Sequence, residues 1–399
     1  MSNGETSIHP RRVLFPLGLG TALSLMGDGM LYTVLPTHAA EAGIALSSVG
    51  IILSVNRAVR LFLNGPAGLA YDRWPRRRLF VPALFVGALS TAVYAATRGF
   101  WPMLVGRLLW GLAWSGIWVG GATVILDVAT AQDRGRWMGL YQTWFFLGAA
   151  LSAFAGGLLT DGLGYSATMW LGAAVTALGG LITFTLLPET RSIRPGLECL
   201  SVEEIRPRLR ANLGLWIVAL LQGINRFVGV GVLAATMGLL VQDRLRSASL
   251  TLGVATLTGA LNAGKILLSM VAAPLAGTAS DWLGSRWRVA TWGLAIGIIS
   301  MALIAWGAPT AILTGVALGA VTVGSVQALV TALTGDLVGQ TQRGRAIGLL
   351  HTAGDLGSAM GPPVAYALIP WIELQGVYLL CAGLFAAGLA LALLFQLRA

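Results

Sequence analysis

The chain has 399 residues, 56% of them apolar and 11% charged, and its 26 lysines and arginines against 16 acids leave it at +10. Soluble domains carry roughly 25% charged residues, so this composition belongs in lipid. A pI near 10.5 invites a nucleic-acid reading, but that needs a basic patch on a water-soluble module, and here the basic residues fall in short breaks between apolar runs.

In chain order, runs long enough to cross a bilayer, about 20 residues each, lie near 13–36, 47–70, 79–97, 101–126, 138–160 and 167–187. After a polar connector they resume near 213–240, 250–277, 289–306, 310–335, 346–369 and 376–397. These runs are continuously apolar, not alternating, so helices and not barrel strands satisfy their backbone groups in lipid. The expectation is an all-α membrane protein of twelve transmembrane helices: one six-helix bundle over 1–187, a linker over 188–211 and a second bundle over 212–399. The polar first twelve residues run into the first helix without a small-residue cleavage site, which reads as a membrane helix and not a removed signal peptide.

Arginine placement orients the helices. With the N-terminus inside, the inner segments hold eighteen basic residues, including Arg73, Arg76, Arg77, Arg78, Arg134, Arg136, Arg343 and Arg345, and the outer loops hold only Arg98, Arg244 and Arg246. By the positive-inside rule both termini are cytoplasmic. The connector carries Cys199 and Ser201 with no histidine or metal-ligand cluster to activate them, so a linker is favoured over a catalytic site. Cys381 is far from Cys199, and no catalytic residue, metal or cofactor is expected. Nor is there a G-x-x-x-x-G-K-[ST] stretch to hold a nucleotide.

The two halves repeat at an offset of 209. GLAYDRWPRRR at 68–78 finds its partner in GTASDWLGSR at 277–286, so Gly68 meets Gly277, Asp72 meets Asp281, and Arg77 meets Arg286. At the same offset Asp127 meets Asp336, Arg134 and Arg136 meet Arg343 and Arg345, and Gly148 meets Gly357. Chance alignment in a glycine-rich chain does not readily place both aspartates in register.

The first of these stretches resembles the G-x-x-x-D-R-x-G-R-R signature of the major facilitator superfamily, between its helices 2 and 3. Helices 5 and 11 resemble the glycine motif of drug-proton antiporters in that family, through Gly139, Gly148, Ser152, Ala153, Gly156 and Gly157 in one half and Gly348, Gly357, Gly361 and Pro362 in the other. Small residues at such spacing also serve plain close packing of helices. Arg107 with Gly111 four residues on resembles R-x-x-x-G, whose arginine is associated with proton coupling. The resemblance implies a twelve-helix secondary transporter with a parallel repeat and a substrate held between the halves. It also implies a cytoplasmic gate of Gly68, Asp72, Arg73, Arg76, Arg77, Asp127, Asp281 and Asp336, in which Asp72 docks on the start of helix 11 and Arg76 pairs with Asp127. The second copy is expected to be weaker, because Ser285 stands opposite Arg76, and Pro75 in place of the motif glycine excludes a positive φ there.

Seven charges fall within the spans: Asp28, Arg57, Arg60, Arg107, Arg226, Lys265 and Asp355. At roughly 2.5–3.5 kcal/mol each at a helix centre they must face a cavity or one another. Asp28 and Asp355 are the candidate proton sites, with Arg107, and with His351 at i, i+4 to Asp355. The candidate substrate-binding set is Asn56, Arg57, Arg60, Trp114, Asn225, Arg226, Asn262 and Lys265. An ion-pair network holding the halves together is the competing reading of these charges. Trp110, Trp114 and Trp118 recur every four residues, as an aromatic cavity wall or a lipid-facing stripe. Five cations against two acids leave the set near +3, which favours an anionic or zwitterionic substrate group.

The function expected is proton-coupled export of amphipathic or anionic small molecules by alternating access. The partners are the substrate, protons and the lipid bilayer, with no nucleic acid, and the protein is monomeric in the cell membrane. A symporter or carrier for an organic or lipid-like anion, and a non-transporting receptor or scaffold, are the alternatives.

Overall fold

Without water to bond to, each apolar run closes its own backbone hydrogen bonds, and helix ends fall where the sequence supplies a cap or a breaker. The computed structural model describes residues 9–130, 133–190, 213–245, 253–338 and 343–398. The first half comprises α1 (Pro10–Val34), α2 (Leu46–Arg73), α3 (Arg76–Ala96), α4 (Phe100–Val128), α5 (Arg134–Leu163) and α6 (Tyr165–Leu186). The second comprises α7 (Leu213–Leu245), α8 (Val254–Trp282), α9 (Arg286–Trp306) and α10 (Pro309–Leu337). A last continuous stretch, Arg343–Arg398, breaks at Glu373 (φ 57°, ψ 176°) into α11 (343–372) and α12 (374–398). That backbone conformation is nearly confined to glycine, and it is what turns one 56-residue stretch into two membrane crossings. The expected linker falls almost wholly outside the described residues, as do Cys199 and Ser201.

Caps fit the local sequence. His9 Nδ1 accepts from the Arg11 amide, with Pro10 at the first turn of α1. Pro309 opens α10, and Gly164, at φ 83°, closes α5 and starts α6. In α7 the winding loosens to π-type turns over Phe227–Val232 and Val241–Leu245.

Within the first half α1 packs on α5 and α6, α3 on α4 and α6, and α2 on α4; the second half has its own large apolar core. The halves meet along α2 with α11 and α5 with α8. Glycines make that meeting close at one end, the end of the α1–α2, α5–α6 and α7–α8 connections. A Cβ on Gly50 would stand 2.7 Å from the Pro362 carbonyl, on Gly157 2.0 Å from that of Ala255, and on Gly259 2.4 Å from that of Ala153. Ala235 and Tyr366 of the second half join an apolar cluster of the first there, and the Tyr366 hydroxyl donates to the Ala235 carbonyl at 2.9 Å.

The arginine-rich end is open by contrast. Gly65 and Gly68 of α2, Gly139 of α5, Gly277 of α8 and Gly348 of α11 have no neighbouring atom within 4 Å of the Cβ position. The same four helices that clasp at one end therefore splay at the other. Exposed tryptophans mark both rims, with Trp101, Trp306 and Trp371 at the closed end and Trp74 and Trp282 at the open one, as interfacial anchors do.

Candidate functional site

Arg107 on α4 is fully buried, and burial of a guanidinium is tolerable only when its donors are satisfied. Its Nη1 meets Asp28 Oδ1 of α1 at 2.5 Å, its Nε donates to the Ile52 carbonyl of α2 at 2.9 Å, and its Nη2 reaches the Tyr32 hydroxyl at 3.1 Å. Tyr32 in turn donates to the Leu53 carbonyl, and its ring lies under both Arg107 and Arg57, 5.2 and 4.7 Å from centroid to guanidinium carbon. Asn56, buried one turn beyond, stands 3.4 Å from the Tyr32 hydroxyl. Gly111 explains the four-residue spacing: a Cβ there would come 2.9 Å from the Asn56 carbonyl, so only glycine lets α2 close on the helix that carries Arg107. Asp28 retains partial exposure while Arg107 has none, so the acid is the member of the pair that water can reach.

The other acid is used across the halves. Arg60 Nη2 of α2 binds Asp355 Oδ1 of α11 at 2.9 Å. Arg57, one turn earlier, donates to the Ser358 carbonyl at 2.7 Å and the Val230 carbonyl at 3.2 Å, so it bridges to both α11 and α7. His351 is exposed and forms no hydrogen bond with Asp355.

The remaining candidates fall on α7, α8 and α4. Lys265 of α8 is buried and its Nζ reaches the Gly229 carbonyl at 3.3 Å. Arg226 opens that turn and, among the described residues, forms neither ion pair nor hydrogen bond. Asn225 Nδ2 donates to the Val323 carbonyl at 3.1 Å, and its Oδ1, like Gln222 Oε1, is buried without a donor among the described residues. Asn262 lies one turn before Lys265 and is buried. Trp114 stacks between Trp110 and Trp118 at 5.7 and 5.9 Å and leans on Phe145 of α5. Trp110 and Trp114 are buried, which settles that this stripe packs inside the first half and does not face lipid.

At the arginine-rich end Arg76 Nε binds Asp127 Oδ2 at 2.9 Å, and Thr190 shares that oxygen at 3.0 Å. Arg77 donates to the Phe184 carbonyl, and Glu189 caps α3 by accepting the Arg76 and Arg77 amides at 2.9 and 3.1 Å. Pro75 sits extended at φ −57° under that cap, while Gly284 at the matching position takes φ 61°. The second copy also has its ion pair, made by Arg286 with Asp336, one residue beyond Ser285 and more exposed than the first. Asp72, Arg73 and Asp281 are exposed there, and the side chain of Arg345 lies outside the described residues. Nearby, hydrogen bonds from Thr130 and Trp137 hold the Asp133 carboxyl below its usual range.

Sequence reading missed Tyr32, Glu189, Arg286 as the second partner, and Asp161. The last, at the end of α5, accepts the Thr256 amide and hydroxyl at the start of α8, both at 2.6 Å. The Arg-rich loop copies were the only signal that could have pointed to Arg286.

Two pseudo-symmetric six-helix halves with ion pairs inside the membrane spans are the arrangement of a secondary transporter, and the comparisons agree. The family model described as Major Facilitator Superfamily matches residues 17–269 and 215–399, and the chain belongs to that family. It is 25% identical to the inner membrane transport protein YajR of Escherichia coli, over 98% of this chain and 85% of that protein. It is 23% identical to the multidrug resistance protein MdtG of Salmonella arizonae, over 96% and 95%. A bacterial homologue of the human lysosomal transporter Spinster, solved in an inward-facing and occupied conformation, shares the fold with a TM-score of 0.81 at 14% identity, over 96% and 95% of the two chains. The protein is a multi-pass membrane transporter of this superfamily and not an enzyme.

Proposed function

We propose that this transporter is proton-coupled, exports amphipathic or anionic small molecules by alternating access, and acts as a monomer in the cell membrane. The observation that carries the reading is the Asp28–Arg107 pair, an acid with access to water bound to a cation with none. With Asp28 ionised, Arg107 holds α1, α2 and α4 together. A proton on Asp28 removes the charge that compensates Arg107, so protonation state and helix packing are linked.

The arginine-rich loops support a cytoplasmic assignment for the open end, which makes this the inward-facing form. The Asp28–Arg107 contact in that form fits the stage after a proton has left toward the cytoplasm and before substrate enters from it. The likeness to a multidrug resistance protein supports export. A symporter or carrier for an organic anion is the second reading, favoured by Arg226 of α7 and Lys265 of α8, which form no ion pair among the described residues. Purified protein in proteoliposomes with an imposed pH gradient tests the proposal. Accumulation driven by protons moving against substrate is expected; cotransport with protons selects the symporter, and flux indifferent to the gradient overturns proton coupling.

A further inference from the structure

Resting on that transport reading, we propose that Arg226 and Lys265, set about the π-wound turn of α7, bind the head group of an amphipathic organic anion, the carboxylate, sulfonate or phosphate of the substrate.

The argument is one of charge and donors. The spans contain two acids, and both are engaged: Asp28 by Arg107 and Asp355 by Arg60. Arg57 has no acid but donates to two carbonyls, on α7 and α11, so it is a clamp between halves. Arg226 and Lys265 remain. Among the described residues Arg226 has no hydrogen-bond partner, and Lys265 has one, the neutral Gly229 carbonyl at 3.3 Å. An ammonium has three donors and a guanidinium five. Leaving them so poorly matched within a span is costly unless something else arrives to meet them.

The π turn gives the place its geometry. Widening the backbone from Phe227 to Val232 takes carbonyls out of the regular ladder, and the two that cations reach are Gly229 and Val230. Gly229 is three residues past Arg226 on α7 and receives the Lys265 ammonium, while the Arg226 side chain runs along Gly354 of α11. An anionic head placed there exchanges one neutral acceptor of Lys265 for a charge-assisted contact, which is roughly twice as strong. Ile224 and Phe227 pack on the core of the second half, and Val230, on the same turn, is apolar and half-buried, which suits a head group carried on an apolar body. The main rival is a structural one, in which Asp355 passes from Arg60 to Arg226 as the halves rock.

Two fluorescent probes of similar shape separate these readings: anilinonaphthalene sulfonate, an anion, and phenylnaphthylamine, its neutral counterpart. The full-length protein in nanodiscs of zwitterionic lipid is titrated with each, and saturable energy transfer from tryptophan is measured against empty nanodiscs. Loss of one charged hydrogen-bonding partner predicts that Arg226→Gln and Lys265→Gln each weaken the sulfonate by about tenfold or more, while the neutral probe is unaffected. Lys265→Arg, which keeps the charge, should preserve the ratio. Equal losses for both probes overturn the site, as does an absence of saturable sulfonate binding to the wild type. An unchanged ratio accompanied by altered inter-half distances in Arg226→Gln also overturns it, in favour of the rocking switch. If the charge-dependent ratio holds and no proton-driven flux is found, the anion site stands and the coupled-transport reading falls.

Discussion

Arg107 is tightly held, because a fully buried guanidinium finds its partners in Asp28, Tyr32 and two carbonyls of α2. Removing one partner from such a pair leaves an uncompensated charge, at a cost on the order of 3 kcal/mol. Asp28→Asn is therefore expected to abolish transport driven by a pH gradient, to retain some substrate binding and to lower thermal stability. Flux and melting temperature on the same preparation check this, and gradient-driven flux equal to wild type would remove Asp28 from coupling. Asp355→Asn should cost less stability, since Arg60 and Asp355 are both partly exposed and water can replace the lost partner. The residues themselves announced this chemistry, because a charge inside an apolar run is expensive. Which acid belongs to which arginine was not legible, for Asp28 and Arg107 are 79 residues apart and Arg60 and Asp355 are 295 apart.

At the scale of helices, the closed end is held by α5 against α8. The Asp161 carboxylate meets the start of α8, where the unpaired amides carry about half a positive charge, and two glycines, Gly157 and Gly259, let the backbones touch. Hydrogen bonds to a charged group contribute about 1.5–3 kcal/mol. Asp161→Ala should raise the ratio of molecules open at this end by about tenfold or more, read as longer spin-label distances between the ends of α5 and α8. Gly157→Val should act in the same direction, because its Cβ would lie 2.0 Å from the Ala255 carbonyl. Unchanged distances in both variants would show that the clasp resides elsewhere, in α2 and α11. Asp161 drew no notice in the sequence because a carboxylate at a helix end bears no membrane penalty. Gly148 and Gly357, by contrast, stood out there, and they bring α5 onto Ala22 of α1 and α11 onto Gly223 of α7. Close packing accounts for them without an antiport-specific role.

For the molecule as a whole, clasping at one end and splaying at the other means that the alternating access proposed above requires the open faces of α2, α5, α8 and α11 to come together. Asp72 is the penultimate residue of α2 at that rim, and we propose that it meets the start of α11 when that end shuts. Asp72→Asn is expected to disfavour the form closed at the arginine-rich end by about 1–3 kcal/mol of coupling between halves. Asp127→Asn should follow, since Arg76–Asp127 fixes the start of α3 to the end of α4. Asp336→Asn should do less, because its pair with Arg286 is more exposed and exposed pairs contribute little. Distances between labels on the rims of α2 and α11 measure each; an unaltered population in Asp72→Asn would leave the motif a role in folding or topology alone.

Composition, continuous apolar runs and the 209-residue offset were enough to determine the membrane setting, the helical class and the two-half plan. The physical reason is that lipid admits few alternatives: a backbone without water must close on itself, and a charge within a span must face inward. The family followed from the loop between α2 and α3. Tertiary structure alone decided the partners. It replaced the missing motif glycine with a trans cap from Glu189, gave the second loop its positive φ at Gly284 and its ion pair through Arg286, and set Arg57 on two carbonyls across the halves. It also decided which cations in the spans form no ion pair among the described residues, and which end is open. Those outcomes depend on contacts between residues far apart in the chain, so no local pattern in the sequence encodes them.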